Sequence, residues 1–195
     1  LSGSCSGGFQ YGSKLYIFLS SNESKILVLN MKDAKFLAEI DAGEPFVSNL
    51  WPKRATAHKN LIYIVGDGGF VHVIDTLSLK RVKSFELPQW ANDVVIQNDK
   101  LFVTNKKPLT LIGFDTSLLA MNMNTGVLEK NINVGWYPRV MIKDGERFIY
   151  LQTNGNSYYD DRPALLKIDA TSGKIEKRIS AQLRGLAIYN DNILA

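Results

Sequence analysis

The sequence predicts an all-β fold, on two recurring anchors and one turn pattern. A short apolar run recurs as Leu15–Phe18, Ile62–Val65, Leu101–Thr104, Ile149–Gln152 and Asn192–Leu194. Tyr16, Tyr63, Phe102, Tyr150 and Ile193 hold equivalent places in it, at spacings of 47, 39, 48 and 43 residues. A second apolar run ends each time in Asx, at Asn30, Asp75, Asn122 and Asp169, with spacings of 45, 47 and 47. Turns rich in Asx and Gly separate the runs. Periods of ~40–50 residues, each holding four short strands, define the blades of a β-propeller. The prediction is four four-stranded antiparallel blades and the start of a fifth.

Each copy divides into strands A to D. Strand A is read at 54–58, 93–97, 139–143 and 184–189, and strand B is the first anchor. Strand C is read at 25–30, 70–75, 119–123 and 165–169, and strand D at 36–40, 81–87, 128–134 and 174–179. The B and C runs are apolar on both faces, as middle strands buried between blades require. Strand D alternates: Leu128, Ile132 and Val134 on one face, Glu129, Asn131 and Asn133 on the other, which predicts a half-exposed outer strand. The C-to-D turns Asn122–Gly126 and Asp169–Gly173, and the A-to-B turns at 97–100 and 143–146, use Asx capping and glycine. Their Asp and Asn residues are therefore read as turn formers. The blades span about 9–43, 44–87, 88–135 and 136–180, with the fifth beginning at 181–195.

Composition narrows the function classes. The chain of 195 residues has 45% hydrophobic residues, enough for a core, and no apolar run reaches the ~18 residues of a membrane span. The net charge of +4 is spread among 23 basic and 19 acidic residues, with no basic stripe, so no nucleic-acid partner is expected. One cysteine, Cys5, excludes an intrachain disulfide and any Cys-x-x-Cys site.

Residues 133–145 (Asn-Val-Gly-Trp-Tyr-Pro-Arg-Val-Met-Ile-Lys-Asp-Gly), followed by Phe148–Asn154, resemble the YVTN family β-propeller repeat. That repeat runs V-G-x-x-P, a strand, D-G, then Y-V-T-N. Phe102–Asn105 is a second near-match, and Val73–Thr76 and Lys167–Gly173 resemble the V-I-D-x-x-T-G segment. The first two copies depart from the pattern, with Leu19 and Gly66 where the family has Asn. The resemblance implies an exported, seven-bladed ring, of which this chain would be a fragment. It also implies kinship of shape with lactonases and quinoprotein dehydrogenase subunits. Small residues before Cys5, then Ser6 to Gly8, look like the processing site of a bacterial lipoprotein, although Ser2 stands where that pattern has an aliphatic residue. Residues 1–8 are accordingly expected to be a flexible leader or lipoprotein tether. Cys5 is the lipidation candidate and the only link to a membrane, and the location expected is extracytoplasmic: cell-surface, secreted or periplasmic.

The register places all three tryptophans at one repeat position. Trp51, Trp90 and Trp136 each stand three residues before Arg54, Asp93 and Arg139; Arg184 continues the series, with Ala181 in the tryptophan place. If strand A lines the channel, these side chains ring its mouth. The arginines would bind a carboxylate or phosphate, with tryptophan as a stacking surface. Inter-blade packing is the competing reading and is preferred, because a structural position recurs in every blade. The long B-to-C loops, 105–115 and 154–163, open on the same face. There Tyr158 and Tyr159 suit a sugar or peptide. Asp160 and Asp161, with Asn154 and Asn156, are weak candidates for Ca²⁺, a solvated loop being the preferred reading.

His58 and His72 lack metal-ligand spacing, and no nucleophile elbow or phosphate loop is present. The function expected is a non-enzymatic exported scaffold that binds a protein or small anionic ligand at the Trp/Arg face, with no cofactor. The alternative is a lactonase-like hydrolase or quinoprotein-dehydrogenase-like subunit whose remaining site residues lie in further blades.

Overall fold

The computed structural model describes residues 4–20, 25–41, 55–66, 69–88, 90–106, 116–155, 161–183, 187–189 and 192–194. They form four four-stranded antiparallel sheets, each ordered as a simple meander, and a two-stranded hairpin. The first blade holds β1 (Ser4–Tyr11), β2 (Lys14–Ser20), β3 (Lys25–Asn30) and β4 (Phe36–Asp41). The second holds β5 (Ala55–His58), β6 (Leu61–Gly66), β7 (Phe70–Asp75) and β8 (Lys80–Glu86). The third holds β9 (Trp90–Gln97), β10 (Lys100–Lys106), β11 (Thr116–Asn122) and β12 (Leu128–Asn133). The fourth holds β13 (Pro138–Asp144), β14 (Phe148–Thr153), β15 (Ala164–Asp169) and β16 (Ile175–Ser180); β17 (Ala187–Tyr189) and β18 (Asn192–Leu194) follow. The fold is that of β-propeller blades.

The chain divides into two compact units, residues 1–91 and 92–195. In the first, Tyr16, Phe18, Ile26 and Val28 of blade one pack on Ile62, Ile64 and Ile74 of blade two. In the second, Phe102, Leu118 and Ala120 of blade three pack on Met141, Ile149, Leu151, Leu166 and Ile168 of blade four. Apart from Met141 of β13, these residues lie on the second and third strands of their blades, and burying each of the large apolar side chains contributes ~1.5–3 kcal/mol. Polar ties join blades three and four as well: Gln97 Nε2 donates to Gly145 O at 2.9 Å, and Lys130 Nζ donates to Ser172 O at 2.7 Å.

Two expectations are corrected. Ser4 to Gly8 are not a free leader but part of β1, where Cys5 pairs with Leu19 and Gly8 with Ile17. Their small side chains read as a linker, yet their backbone completes blade one; Cys5 itself is exposed and unbridged. The second correction concerns strand D. In all four blades the pairing of the third and fourth strands slips by one residue at the same repeat position: Val28/Leu29, Val73/Ile74, Ala120/Met121 and Lys167/Ile168. The extra residue bulging from the outer strand is Leu37, Val82, Glu129 or Glu176. A bulge breaks the period of two, so Leu128, expected on the buried face with Ile132, is 44% exposed. Bulges also blunt an open sheet edge against further pairing.

The C-to-D turns are built alike. Asp75 accepts from Ser78 N–H at 2.6 Å, Asn122 from Thr125 N–H at 3.1 Å and Asp169 from Ser172 N–H at 2.8 Å. With Arg147 Nε at 2.9 Å, these bonds hold the Asp169 carboxyl well below the usual carboxylate range. The next position turns left-handed in every copy: Ala34 (φ 53°), Leu79 (φ 54°), Gly126 (φ 74°) and Gly173 (φ 75°). Only glycine takes this φ without strain, so the first two blades carry a local penalty. Ala34→Gly is expected to stabilise the chain by about 0.5–1 kcal/mol and Gly126→Ala to destabilise it by about 1 kcal/mol, as read by urea unfolding. A loss on Ala34→Gly would contradict this.

Blade two breaks the repeat in its core. The residue before the bulge on the third strand is Leu27, Leu119 and Leu166 in the other blades and His72 here. His72 is 1% exposed, its Nδ1 lies 2.8 Å from Ser84 Oγ, and its ring stacks on Phe70. Burial first, and the Arg81 charge second, lower its pKa to about 4 from 6.5. The folded state thus favours the neutral ring. The stability this confers is complete above pH ~6.5 and is lost as the pH falls toward ~4, a difference on the order of 3 kcal/mol. His72→Leu, which restores the residue of the other blades, is expected to flatten the stability profile between those pH values. An unchanged acid dependence in the variant would show that other groups carry it.

Candidate functional site

The face where D-to-A and B-to-C loops meet is formed in the second unit by residues 134–139, 154–155 and 161–163. Gly135 (φ 85°) and Tyr137 (φ 51°) turn the chain sharply before Pro138 opens β13. A Cβ on Gly135 would lie 2.9 Å from Asp161 Oδ2 and push that carboxylate aside, on a backbone whose φ already favours glycine. A left-handed tyrosine carries strain of ~1 kcal/mol or more, and its neighbours hold it there. Asn154 N–H donates to Tyr137 O at 3.1 Å, and Gly155 N–H donates to Trp136 O at 3.2 Å. Trp136 N–H in turn donates to Asp161 Oδ2 at 2.9 Å. Asp161 Oδ1 is engaged by the Arg178 guanidinium, which also donates to Arg162 O at 3.1 Å. Two loops and the outer strand are thereby locked together.

The collar residues differ in what they do. Asp93 is 2% exposed and points between blades three and four. Its Oδ1 accepts from Val94 N–H at 2.9 Å and its Oδ2 from Met141 N–H of β13 at 2.7 Å. Its own N–H donates to Thr104 Oγ1 at 2.8 Å, and Thr104 is the threonine of the Phe102–Asn105 segment. Asp93 is thus a structural tie. Arg139, at the same repeat position, is half-buried beside the Trp136–Tyr137 segment and donates from Nη1 to Asn154 Oδ1 at 3.3 Å. Burial pushes its guanidinium pKa down from the ordinary value. The Trp136 and Tyr137 rings lie 6.2 Å apart, tilted by 45°.

Trp51, Arg54, Tyr158, Tyr159, Asp160 and Arg184 lie outside the described residues. Trp90 is the first residue of β9 rather than part of a loop. Asp161 has both carboxylate oxygens occupied by protein donors, which makes it a clamp. Among the described residues no group of three or more His, Cys, Asp or Glu side chains is arranged to hold a metal ion. Sequence reasoning missed Gly155 and Arg178. Gly155 gave a weak signal as a glycine just after an apolar strand; Arg178 gave none, because its partner is 17 residues away in a loop without spacing rules.

No family model matches the chain, and no curated protein matches it by sequence. Solved structures do match in shape. Hydrazine synthase of Kuenenia stuttgartiensis superposes with a TM-score of 0.72 at 14% identity, over 94% of this chain and 52% of that one. The quinohemoprotein alcohol dehydrogenase ADHIIG of Pseudomonas putida HK5 superposes with a TM-score of 0.69 at 12% identity, over 99% of this chain and 38% of that one. The chain therefore spans about half or less of the length of these enzymes, with which it shares the β-propeller fold.

Proposed function

We propose that the chain is part of an exported, non-enzymatic propeller of the YVTN kind that binds a protein or small anionic ligand at the face carrying Trp136 and Arg139. The observation that carries this reading is Arg139: a partly desolvated guanidinium that donates to the Asn154 amide, on β13 just after the strained turn at Tyr137. Desolvating a guanidinium is unfavourable, and a bidentate carboxylate or phosphate offsets that cost. Its neighbour in the repeat, Asp93, accepts from backbone N–H groups and is a structural tie. A lipid on Cys5, at the exposed edge of blade one, would tether the scaffold to a membrane.

Arg139→Ala is expected to weaken binding of an anionic ligand such as citrate or inorganic phosphate by ~10-fold or more, while urea unfolding moves by less than ~1 kcal/mol. Unchanged binding with lowered stability would make Arg139 a packing residue and sink the proposal. A metal ion or quinone present in stoichiometric amount in the purified protein would favour the lactonase-like or quinoprotein-dehydrogenase-like reading instead.

A further inference from the structure

Blade two departs from its siblings at several positions, and the departures gather in one groove. Phe70 stands where the other blades have Lys25, Ser117 and Ala164. His72 replaces Leu27, Leu119 and Leu166, and Arg81 replaces Phe36, Leu128 and Ile175. Ser84 replaces Glu39, Asn131 and Arg178. With Val82 and Lys83, these four line a groove of about 400 Å³ on the outer side of β7 and β8. A position that serves only the scaffold keeps its residue type from blade to blade. At two of these positions the other blades agree, leucine at one and a large apolar side chain at the other; blade two alone puts His72 and Arg81 there, beside one concavity, which is the mark of a ligand.

We infer that this groove binds a small organic anion, a carboxylate or phosphate monoester with a planar apolar body. Arg81 supplies the positive charge, from an exposed strand and on the face it shares with His72 and Ser84. Ser84 Oγ, 2.8 Å from His72 Nδ1, is held in one place by a buried ring. That hydroxyl gives the anion an oriented polar contact. Phe70, stacked parallel to the imidazole within 10°, provides the flat apolar surface. The bulge at Val82 breaks strict alternation: Arg81 pairs with Ile74, on the face of His72 and Ser84, while Lys83 pairs with Val73 on the other face and only borders the groove. The site lies in the first unit and does not depend on the Trp136–Arg139 face.

The test follows the His72 ring and Arg81 Nε resonances by NMR during titration with inorganic phosphate, phenyl phosphate and benzoate, at ionic strength held constant with sodium chloride. Saturable shifts are expected, with phenyl phosphate or benzoate binding more tightly than inorganic phosphate; which of the two is tighter identifies the head group. Arg81→Ala and Ser84→Ala are each expected to weaken binding ~10-fold or more. Ser84→Ala removes one exposed hydroxyl and decides the matter alone if Arg81→Ala fails to fold. Linear shifts without saturation, or affinities unchanged in the variants, would overturn the inference and leave a merely basic strand.

Discussion

Gly155→Ala is expected to cost roughly 3 kcal/mol or more, the largest single-residue loss foreseen in this chain. Gly155 sits at φ 66°, two residues past the end of β14. A Cβ there would lie 2.3 Å from Asp161 O, 2.5 Å from Arg162 C and 2.6 Å from Pro163 N. All three atoms are backbone, so no side-chain rotation relieves the overlap. The loop must move, and moving it strains the bonds from Asn154 and Gly155 to the Trp136–Tyr137 segment and from Trp136 to Asp161. Urea unfolding gives the cost directly. A loss below ~1 kcal/mol would mean that the loop passes Gly155 at a greater distance than described. Because the substitution disturbs the whole face, ligand binding should fall together with stability, which is why Arg139 rather than Gly155 is the test of function.

Asp93→Ala is expected to cost about 3 kcal/mol, because it leaves the Val94 and Met141 N–H groups buried without an acceptor, at ~1–3 kcal/mol each. The tie to Met141 joins the first strands of two blades, so the effect should spread beyond blade three. Amide hydrogen exchange provides a local readout: protection at Met141 should drop in the variant. Asp93→Asn keeps one acceptor oxygen and should lose less than Asp93→Ala. Equal losses, or unchanged protection at Met141, would show that the carboxylate does not carry the inter-blade contact.

Much of the architecture was legible because it is periodic. The anchors around Tyr16, Tyr63, Phe102 and Tyr150 repeat an apolar run that has to be buried on both faces, and burial on both faces defines a middle strand. The Asx turns at Asp75, Asn122 and Asp169 were legible for a similar reason, since their hydrogen bonds close within three residues. The outer strands were less so. Leu128 looked inward by alternation and is exposed, because a bulge of one residue leaves no trace in composition. Ser4 to Gly8 looked like a linker because glycine and serine are linker residues, and only pairing with β2 makes them a strand.

The candidate site was legible in outline and not in role. Repeat register alone placed Trp90 with Trp136 and Asp93 with Arg139. It could not tell that Asp93 turns inward to the next blade's backbone while Arg139 stays half-buried beside Asn154. That difference depends on what each side chain meets: Asp93 reaches a backbone N–H 48 residues away in the next blade, and Arg139 an amide 15 residues away in its own. The sequence by itself determined the all-β class, the repeat length and the strand order, since these follow from hydrophobic spacing and local turn chemistry. Tertiary structure decided the bulges, the Asp161–Arg178 clamp, the close passage at Gly155 and the groove around His72. Each arises where residues distant in sequence, or strands slipped in register, come within a few ångströms, and no local pattern encodes that approach.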